Sequence, residues 1–387
     1  MIKKDKEKND GRGGVLIYSS LIWNNIWSHS HDLTKVLSKS MPVFYLEVPK
    51  NHARGHEHLV EKNIHPVPKN TMLITPKREF KKFNLPYLIY TQWFTLKSFF
   101  KIRKNINTVI TYNTYDLPLL LLSKMLGKRV VFMYVDHYED LTPNKIAKWY
   151  ISKTTKYFIK HSDYVICTAR ILEKYSKRYN ENTTYLPNAT ALEKFSGKKK
   201  KPQKKFIVGF VGSLGNWVDA DMIADSAKEI KELSKQNNVH KNTTNIEFWI
   251  IGPGPGAEHI KERMEKENIN NIRLFGFLKH DESIEKMFSF NVAIIPFKIN
   301  DITNSVSPVK LFEYWLAENP VIATRTYELS QFKDELLFVN TASEMSKEIL
   351  KIYKNPAYGK KLAIMGKNLV LKKYNWNNYE KKYLELI

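Results

Sequence analysis

The chain has 387 residues, 43% of them apolar and 13% aromatic, which is enough for two packed domains and excludes an intrinsically disordered chain. Its one cysteine, Cys167, excludes an internal disulfide framework and a thiolate metal cluster and points to a reducing compartment. The net charge of +23 is concentrated early: residues 1–200 hold 35 Lys and Arg against 16 Asp and Glu, and residues 201–387 hold 27 against 23.

Met1 to Gly14 mixes lysines with Asp5, Glu7 and Asp10 and lacks the apolar stretch of a signal peptide, and no later run is long enough for a spanning helix, so a cytosolic chain is expected. Short β-branched and aromatic runs then alternate with helical patterns, the arrangement of parallel sheets with crossover helices. Strands are expected at Val15 to Ser19, Val43 to Val48, Thr71 to Thr75, Thr108 to Tyr112, Arg129 to Val135, Tyr164 to Thr168 and Thr184 to Leu186. A second set follows at Phe206 to Val211, Ile246 to Ile251, Ile272 to Phe275, Val292 to Pro296, Val321 to Thr324 and Leu336 to Val339. The fold class is therefore α/β, two doubly wound parallel-sheet domains facing a cleft, with a helical tail. The expected domains are 1–195 and 206–370, joined by an exposed lysine-rich linker or hinge at 196–205. Residues 371–387 form a C-terminal helix that could pack back on the first domain.

Within the first half, Lys77 to Asn105 interleaves eight Lys and Arg with aromatic and aliphatic residues. That mixture suits a helix lying on anionic lipid, or a domain helix with a solvated basic face. Nucleic acid would be drawn by the same charge, but no recognised RNA or DNA motif accompanies it.

In the second half, Ser307-Pro308-Val309-Lys310-Leu311-Phe312-Glu313-Tyr314 reads as a helix start, with Ser as cap and Pro in the first turn. Free amides there favour a phosphate, Lys310 adds a charge, and Glu313 falls on the same face for ribose hydroxyls. An ordinary capped amphipathic helix is the alternative. Gly212-Ser213-Leu214-Gly215 after a strand lets backbone approach a phosphate or simply turns tightly, and Gly252 to Gly256 reads first as a rigid turn. Asp219-Ala220-Asp221 begins a helix, where acidic residues cap, and no oxygen-ligand cluster accompanies it; no metal is expected.

Ser307 to Thr324, SPVKLFEYWLAENPVIAT, closely resembles the nucleotide-sugar signature of GT-B glycosyltransferases of the family four and one type. The resemblance extends through the glycine loop, Trp249 to Gly254 and Tyr185-Leu186-Pro187-Asn188-Ala189, where the family usually has glycine at position 189. It implies that Gly212, Ser213, Leu214, Ser307, Pro308, Val309 and Lys310 surround a donor diphosphate and Glu313 takes the ribose. Gly252 and Phe277 would lie by the nucleobase.

Many retaining relatives carry a further glutamate eight positions before the ribose ligand; here that position is Ser305. An inverting displacement needs a general base instead. Tyr134-Val135-Asp136-His137-Tyr138-Glu139-Asp140 resembles the aspartate-bearing loop of inverting glucuronosyltransferase-like and teichuronic-acid-pathway enzymes, which implies Asp136 as that base. A helix cap or salt-bridge partner is the alternative. Trp23, Trp27 and His31 resemble a Trp-x3-Trp-x3-His pattern of the same subgroup, implying an acceptor region at Trp23 and Trp27 with His31 in catalysis. Aromatic core at helical spacing is the alternative.

The expected activity is transfer of a sugar from a UDP-sugar to a glycan or lipid-linked acceptor of the bacterial envelope or an exopolysaccharide. The nucleotide sugar is a co-substrate, no cofactor is expected, and the basic half would meet the inner face of the membrane. A retaining transferase, a nucleotide-sugar epimerase, a nucleic-acid-binding protein and a non-catalytic scaffold are the competing readings.

Overall fold

A computed structural model describes residues 13–24, 27–50, 65–81, 84–139, 145–236 and 245–387. The chain divides into two units, Met1–Leu186 with Tyr379–Ile387, and Pro187–Asn378.

The first unit is built on a parallel seven-stranded sheet of β1 (Gly14–Tyr18), β2 (Val43–Leu46), β3 (Thr71–Ile74), β4 (Ile106–Thr111), β5 (Arg129–Tyr134), β6 (Tyr164–Cys167) and β7 (Thr183–Tyr185). The order is β3-β2-β1-β4-β5-β6-β7. Central strands such as β5 are continuous apolar runs because both of their faces are covered. Among the described residues, the helices between these strands are α1 (His29–Leu37), α2 (Leu85–Ile102), α3 (Leu117–Met125), α4 (Lys145–His161) and α5 (Arg170–Ser176). The chain steps one way from β1 to β3 and the other way from β4 to β7, so right-handed crossovers put α1 on one face and α2 to α5 on the other. Helix starts follow side-chain chemistry: Asn84 accepts from the Tyr87 amide at 3.1 Å, and Asp116 accepts from Leu119 at 3.2 Å.

The second unit repeats the plan with β8 (Phe206–Val211), β9 (Ile246–Ile251), β10 (Ile272–Gly276), β11 (Val292–Ile295), β12 (Val321–Thr324) and β13 (Leu336–Val339), in the order β10-β9-β8-β11-β12-β13. Its helices are α6 (Ala220–Gln236), α7 (Pro255–Lys266), α8 (His280–Met287), α9 (Asp301–Asn304), α10 (Val309–Leu316), α11 (Ala342–Lys354) and α12 (Pro356–Lys372). Both sheets are doubly wound and Rossmann-like. Their strand order reverses direction beside β1 and beside β8, where such sheets open a crevice at the carboxyl ends of the strands.

The lysine-rich run at 196–205 lies inside the second unit and is pinned to it rather than free as a hinge. Lys198 and Lys201 both pair with Glu285, Lys205 pairs with Glu247 at 2.9 Å, and Lys200 donates to the Phe290 carbonyl at 2.7 Å. A run of lysines without apolar periodicity looks solvated, but acidic and carbonyl acceptors at the amino-terminal edge of the sheet hold it.

The last helix, α13 (Trp376–Leu386), crosses the division, and from Tyr379 onward it belongs to the first unit. There Tyr383 Oη meets His29 Nε2 at 3.0 Å, Glu380 pairs with Lys39 at 3.2 Å, and the Ile387 carbonyl accepts from Thr108 at 3.1 Å. Among the described residues, no helix is long and apolar enough to cross a membrane.

Candidate active site

In the second unit three loops meet at the carboxyl ends of β8, β9 and β10. Gly212 donates to Ile251, Leu214 donates to Pro253, and Gly252 donates to Gly276, with N···O distances of 2.8 to 2.9 Å. Glycine is required at this junction. Gly212 and Gly252 have φ of 132° and 138°, and a Cβ on Gly252 would lie 2.0 Å from the Gly212 carbonyl oxygen. A Cβ on Gly212 would meet Lys310 Nζ at 2.5 Å. The loop expected to offer several amides to a phosphate therefore offers fewer, because Gly212 and Leu214 are already committed and the Leu214 side chain is buried in the core. Among the described residues neither the amide nor the hydroxyl of exposed Ser213 has a partner. Phe277 directly follows Gly276, so the structure brings Gly252 and Phe277 to the same edge.

Helix α10 carries the other half of the site. It starts at Val309 with Pro308 in the cap position and no side-chain cap, so Ser307 does not cap it as the Ser-Pro pair suggests. Ser307 is instead buried, and its carbonyl accepts from Asn188 Nδ2, 119 positions earlier in the chain, at 2.6 Å. The uncapped leading amides of α10 are left for a ligand or water. Lys310 Nζ lies 4.3 Å from the Phe210 ring centroid, and burial pushes its ammonium down to about 8. On the next turn the helix turns almost wholly inward, and Tyr314 Oη accepts from the Val211 amide at 2.7 Å, tying α10 to the start of the glycine loop.

Glu313 is 8% exposed and accepts from His280 Nε2 at 2.8 Å through Oε1; Oε2 has no partner among the described residues. Lys194 Nζ sits 3.0 Å from the other imidazole nitrogen, Nδ1. Burial opposes ionisation of Glu313, yet the His280 hydrogen bond and the charges of Lys194 and Lys310 outweigh it and hold the carboxyl below its ordinary value. The site is thus an uncapped helix N-terminus, a cation, and an ionised carboxylate one turn further on with one oxygen open.

In the first unit Asp136 follows β5, half-buried, with no hydrogen-bond or ion-pair partner among the described residues. Among the described residues it neither caps a helix nor joins a salt bridge. Burial pushes its carboxyl up to about 6. Neighbouring His137 lies 3.7 Å from Glu139, and Asp140 falls outside the described residues.

The Trp23, Trp27 and His31 group is different from its expectation. Helix α1 begins only at His29, so neither tryptophan lies on it. Trp23 is fully buried, its ring nitrogen donating to the His65 carbonyl at 3.1 Å, and cannot face an acceptor. His31 is fully buried too: the Ser28 amide donates to Nδ1 at 3.2 Å, which leaves Nε2 to donate to the Trp23 carbonyl at 2.9 Å. With both ring nitrogens committed, His31 builds a capping box with Ser28 at the start of α1. Trp27 is half-buried and donates to Asp32 at 2.7 Å. Asp219 and Asp221 serve structure: Asp219 caps Met222 at 2.9 Å, and Asp221 pairs with His259 and Arg263.

Residues 205–355 match the family described as glycosyl transferases group 1. Over 284 residues the chain is 21% identical to an uncharacterized glycosyltransferase of Methanocaldococcus jannaschii, covering 68% of this chain and 69% of that protein. Over 191 residues it is 22% identical to TuaH of Bacillus subtilis, provisionally named a teichuronic acid biosynthesis glycosyltransferase, covering 46% and 45%. The chain is a glycosyltransferase of the GT-B fold. The solved structure of HepE from Anabaena in complex with UDP-glucose shares the fold, with a TM-score of 0.70 at 11% identity over 97% of this chain and 99% of that one.

For this glycosyltransferase, sequence reasoning missed His280, Lys194 and Tyr314 as parts of the site. Nothing in their local patterns distinguishes them. His280 stands at the first position of α8 and reaches Glu313 only through the packing of α8 beside α10.

Proposed function

We propose that the enzyme transfers a sugar from a UDP-sugar to a glycan or lipid-linked acceptor of the bacterial envelope or an exopolysaccharide, with inversion at the anomeric carbon. The observation that carries the reading is Glu313: ionised, buried, clamped on one oxygen by His280 and open on the other, one helical turn beyond an uncapped N-terminus and Lys310. Glu313 Oε2 accepts from a ribose hydroxyl, while the α10 amides, Lys310 and Ser213 hold the diphosphate. Gly252 and Phe277 border the base. The UDP-glucose bound by HepE and the provisional pathway of TuaH support the donor class and the kind of acceptor.

In the reaction the acceptor hydroxyl gives its proton to the Asp136 carboxylate as its oxygen bonds to the anomeric carbon. The bond from that carbon to the diphosphate oxygen breaks, and the leaving nucleoside diphosphate keeps the electron pair. Developing charge on the diphosphate meets the helix N-terminus and Lys310, so the reading invokes no metal. Ser305 is buried and donates to the Ile302 carbonyl at 2.8 Å, so no carboxylate stands where retaining relatives carry one, which favours inversion. A raised carboxyl at Asp136 suits a base working near neutral pH. The enzyme acts in the cytoplasm, peripherally attached to the inner face of the membrane.

A panel of nucleotide sugars with membrane lipid extracts, followed by product analysis, tests the reading. Inverted anomeric configuration with a UDP-sugar is expected. Retention, acceptor-free conversion of the donor, or no uptake of any nucleotide sugar would overturn it.

A further inference from the structure

Helices α2, α3 and α4 lie side by side on one face of the first sheet, α3 packing against both neighbours. Their outward residues are unusual for a solvated surface. Ile89 and Trp93 on α2 are 58% and 51% exposed, Met125 on α3 is 82%, and Ile146 and Trp149 on α4 are 79% and 63%. A single exposed apolar side chain needs no explanation, but five on three adjacent helices form one surface. Charge on the same helices has one sign: α2 carries two lysines, α3 one and α4 five, and none of the three carries Asp or Glu. Between Glu79 and Asp116 the chain has no acidic residue at all. Aromatic and cation also sit together, with Lys97 Nζ 4.5 Å from the Trp93 ring centroid.

We propose that this outer face of α2, α3 and α4 docks the protein on an anionic lipid bilayer. The indoles and aliphatic side chains enter the boundary between headgroups and acyl chains, and the lysines meet anionic headgroups, a pairing that neither charge nor apolarity alone provides. Nucleic acid would satisfy the lysines but would not cover the exposed apolar side chains of Ile89 and Met125. The proposal names the surface for the membrane contact suggested above and rests on that reading for its purpose. Crossover helices run back from the carboxyl edge of a parallel sheet, so the starts of α2 and α4, with Ile89, Ile146 and Trp149, lie toward the edge that carries Asp136. Docking there brings a lipid-linked hydroxyl toward the end of the unit where the base stands.

The full chain is sedimented with vesicles of phosphatidylcholine alone and of phosphatidylcholine with about one-third phosphatidylglycerol, at low and high salt. Binding to the anionic vesicles, weakened by salt, is expected. Trp93→Ser with Trp149→Ser, and separately Lys97→Gln with Lys101→Gln and Lys153→Gln, should each lower partitioning by roughly tenfold or more. UDP affinity should be unchanged in both variants, which also verifies their folding. Unchanged partitioning of either folded variant, or no binding of the wild type to anionic vesicles, would overturn the proposal. So would tight binding of a single-stranded oligonucleotide lost with the lysines while vesicles are ignored. If the wild type bound anionic vesicles through these residues but took up no UDP, the docking face would stand and the donor assignment would fall.

Discussion

His280 donates from Nε2 to Glu313 Oε1 at 2.8 Å while Lys194 approaches its Nδ1 at 3.0 Å. An ammonium has only donors, so Nδ1 accepts from Lys194 and Nε2 is the nitrogen that donates to Glu313. The carboxylate is thereby oriented before any ligand arrives, with Oε2 left open.

This relationship separates orientation from mere packing. Glu313→Ala should abolish the preference for UDP over 2′,3′-dideoxy-UDP. His280→Ala should reduce that preference roughly tenfold, as expected for losing a hydrogen bond to a charged group, and His280→Gln should restore part of it. Calorimetric titration of both nucleotides measures it; an unchanged ratio in His280→Ala would remove His280 from the site.

Asp136→Asn should keep UDP affinity and lose transfer. Because the carboxyl is raised from 3.8 to about 6 by burial, the transfer rate should climb as pH rises through about 6. The same shift works against folding: between those values the folded state holds a proton that the unfolded chain has released, so stability falls as pH rises through the window. Removing the charge should therefore raise the melting temperature at neutral pH even as activity disappears, a pairing that thermal denaturation and product assays check together.

Lys310, lowered from 10.5 to about 8 by burial, should lose its charge within an accessible range. UDP affinity should weaken above pH 8 while uridine affinity stays level, since only the diphosphate needs the ammonium. Lys310→Met should bind UDP more weakly and without that pH dependence. A parallel decline for uridine and UDP would point to general loss of structure instead.

Burial lowers His29 from 6.5 to about 3, with Nδ1 2.8 Å from Tyr112 Oη and Nε2 beside Tyr383. Below pH 6.5 the unfolded chain takes up a proton that the folded His29 refuses, so stability falls as pH drops, with a limiting slope of about 1.4 kcal/mol per pH unit for one such proton. Urea denaturation from pH 7 to 5 should show a shallower decline for His29→Gln.

Gly252→Ala should disrupt the nucleotide end of the second unit. The added Cβ would overlap the Gly212 carbonyl at a backbone angle that side chains rarely adopt, costing on the order of 1–3 kcal/mol or more. Loss of UDP binding ahead of global unfolding, followed by calorimetry and circular dichroism, is the expected order.

Strands β8 and β9 could be bounded to the residue from sequence, because a covered parallel strand is a largely apolar run with polar or glycine residues just beyond each end. The SPVKLFEYW helix was equally plain, and so was a carboxylate after β5. The cap of α10 was not: Pro308 holds the cap position, and Ser307 is buried with its carbonyl held by Asn188, 119 positions earlier. Trp23, Trp27 and His31 repeat at four-residue intervals, and that spacing suggested a helix face; instead only His31 lies on α1, and Trp23 is buried ahead of it, its amide donating to the Glu47 carboxylate at 2.6 Å.

The order of elements, the double winding of both sheets and the nucleotide-sugar signature were determined by the sequence alone, because hydrophobic period, turn glycines and helix starts are interactions among near neighbours in the chain. Tertiary structure decided which polar groups meet. His280 and Glu313 are separated by 33 positions and His29 and Tyr383 by 354, and only the packing of distant elements brings each pair within hydrogen-bond reach. The same packing commits both nitrogens of His31 and leaves Asp136 desolvated and, among the described residues, without a partner, so the surroundings of each polar side chain are a property of the folded chain.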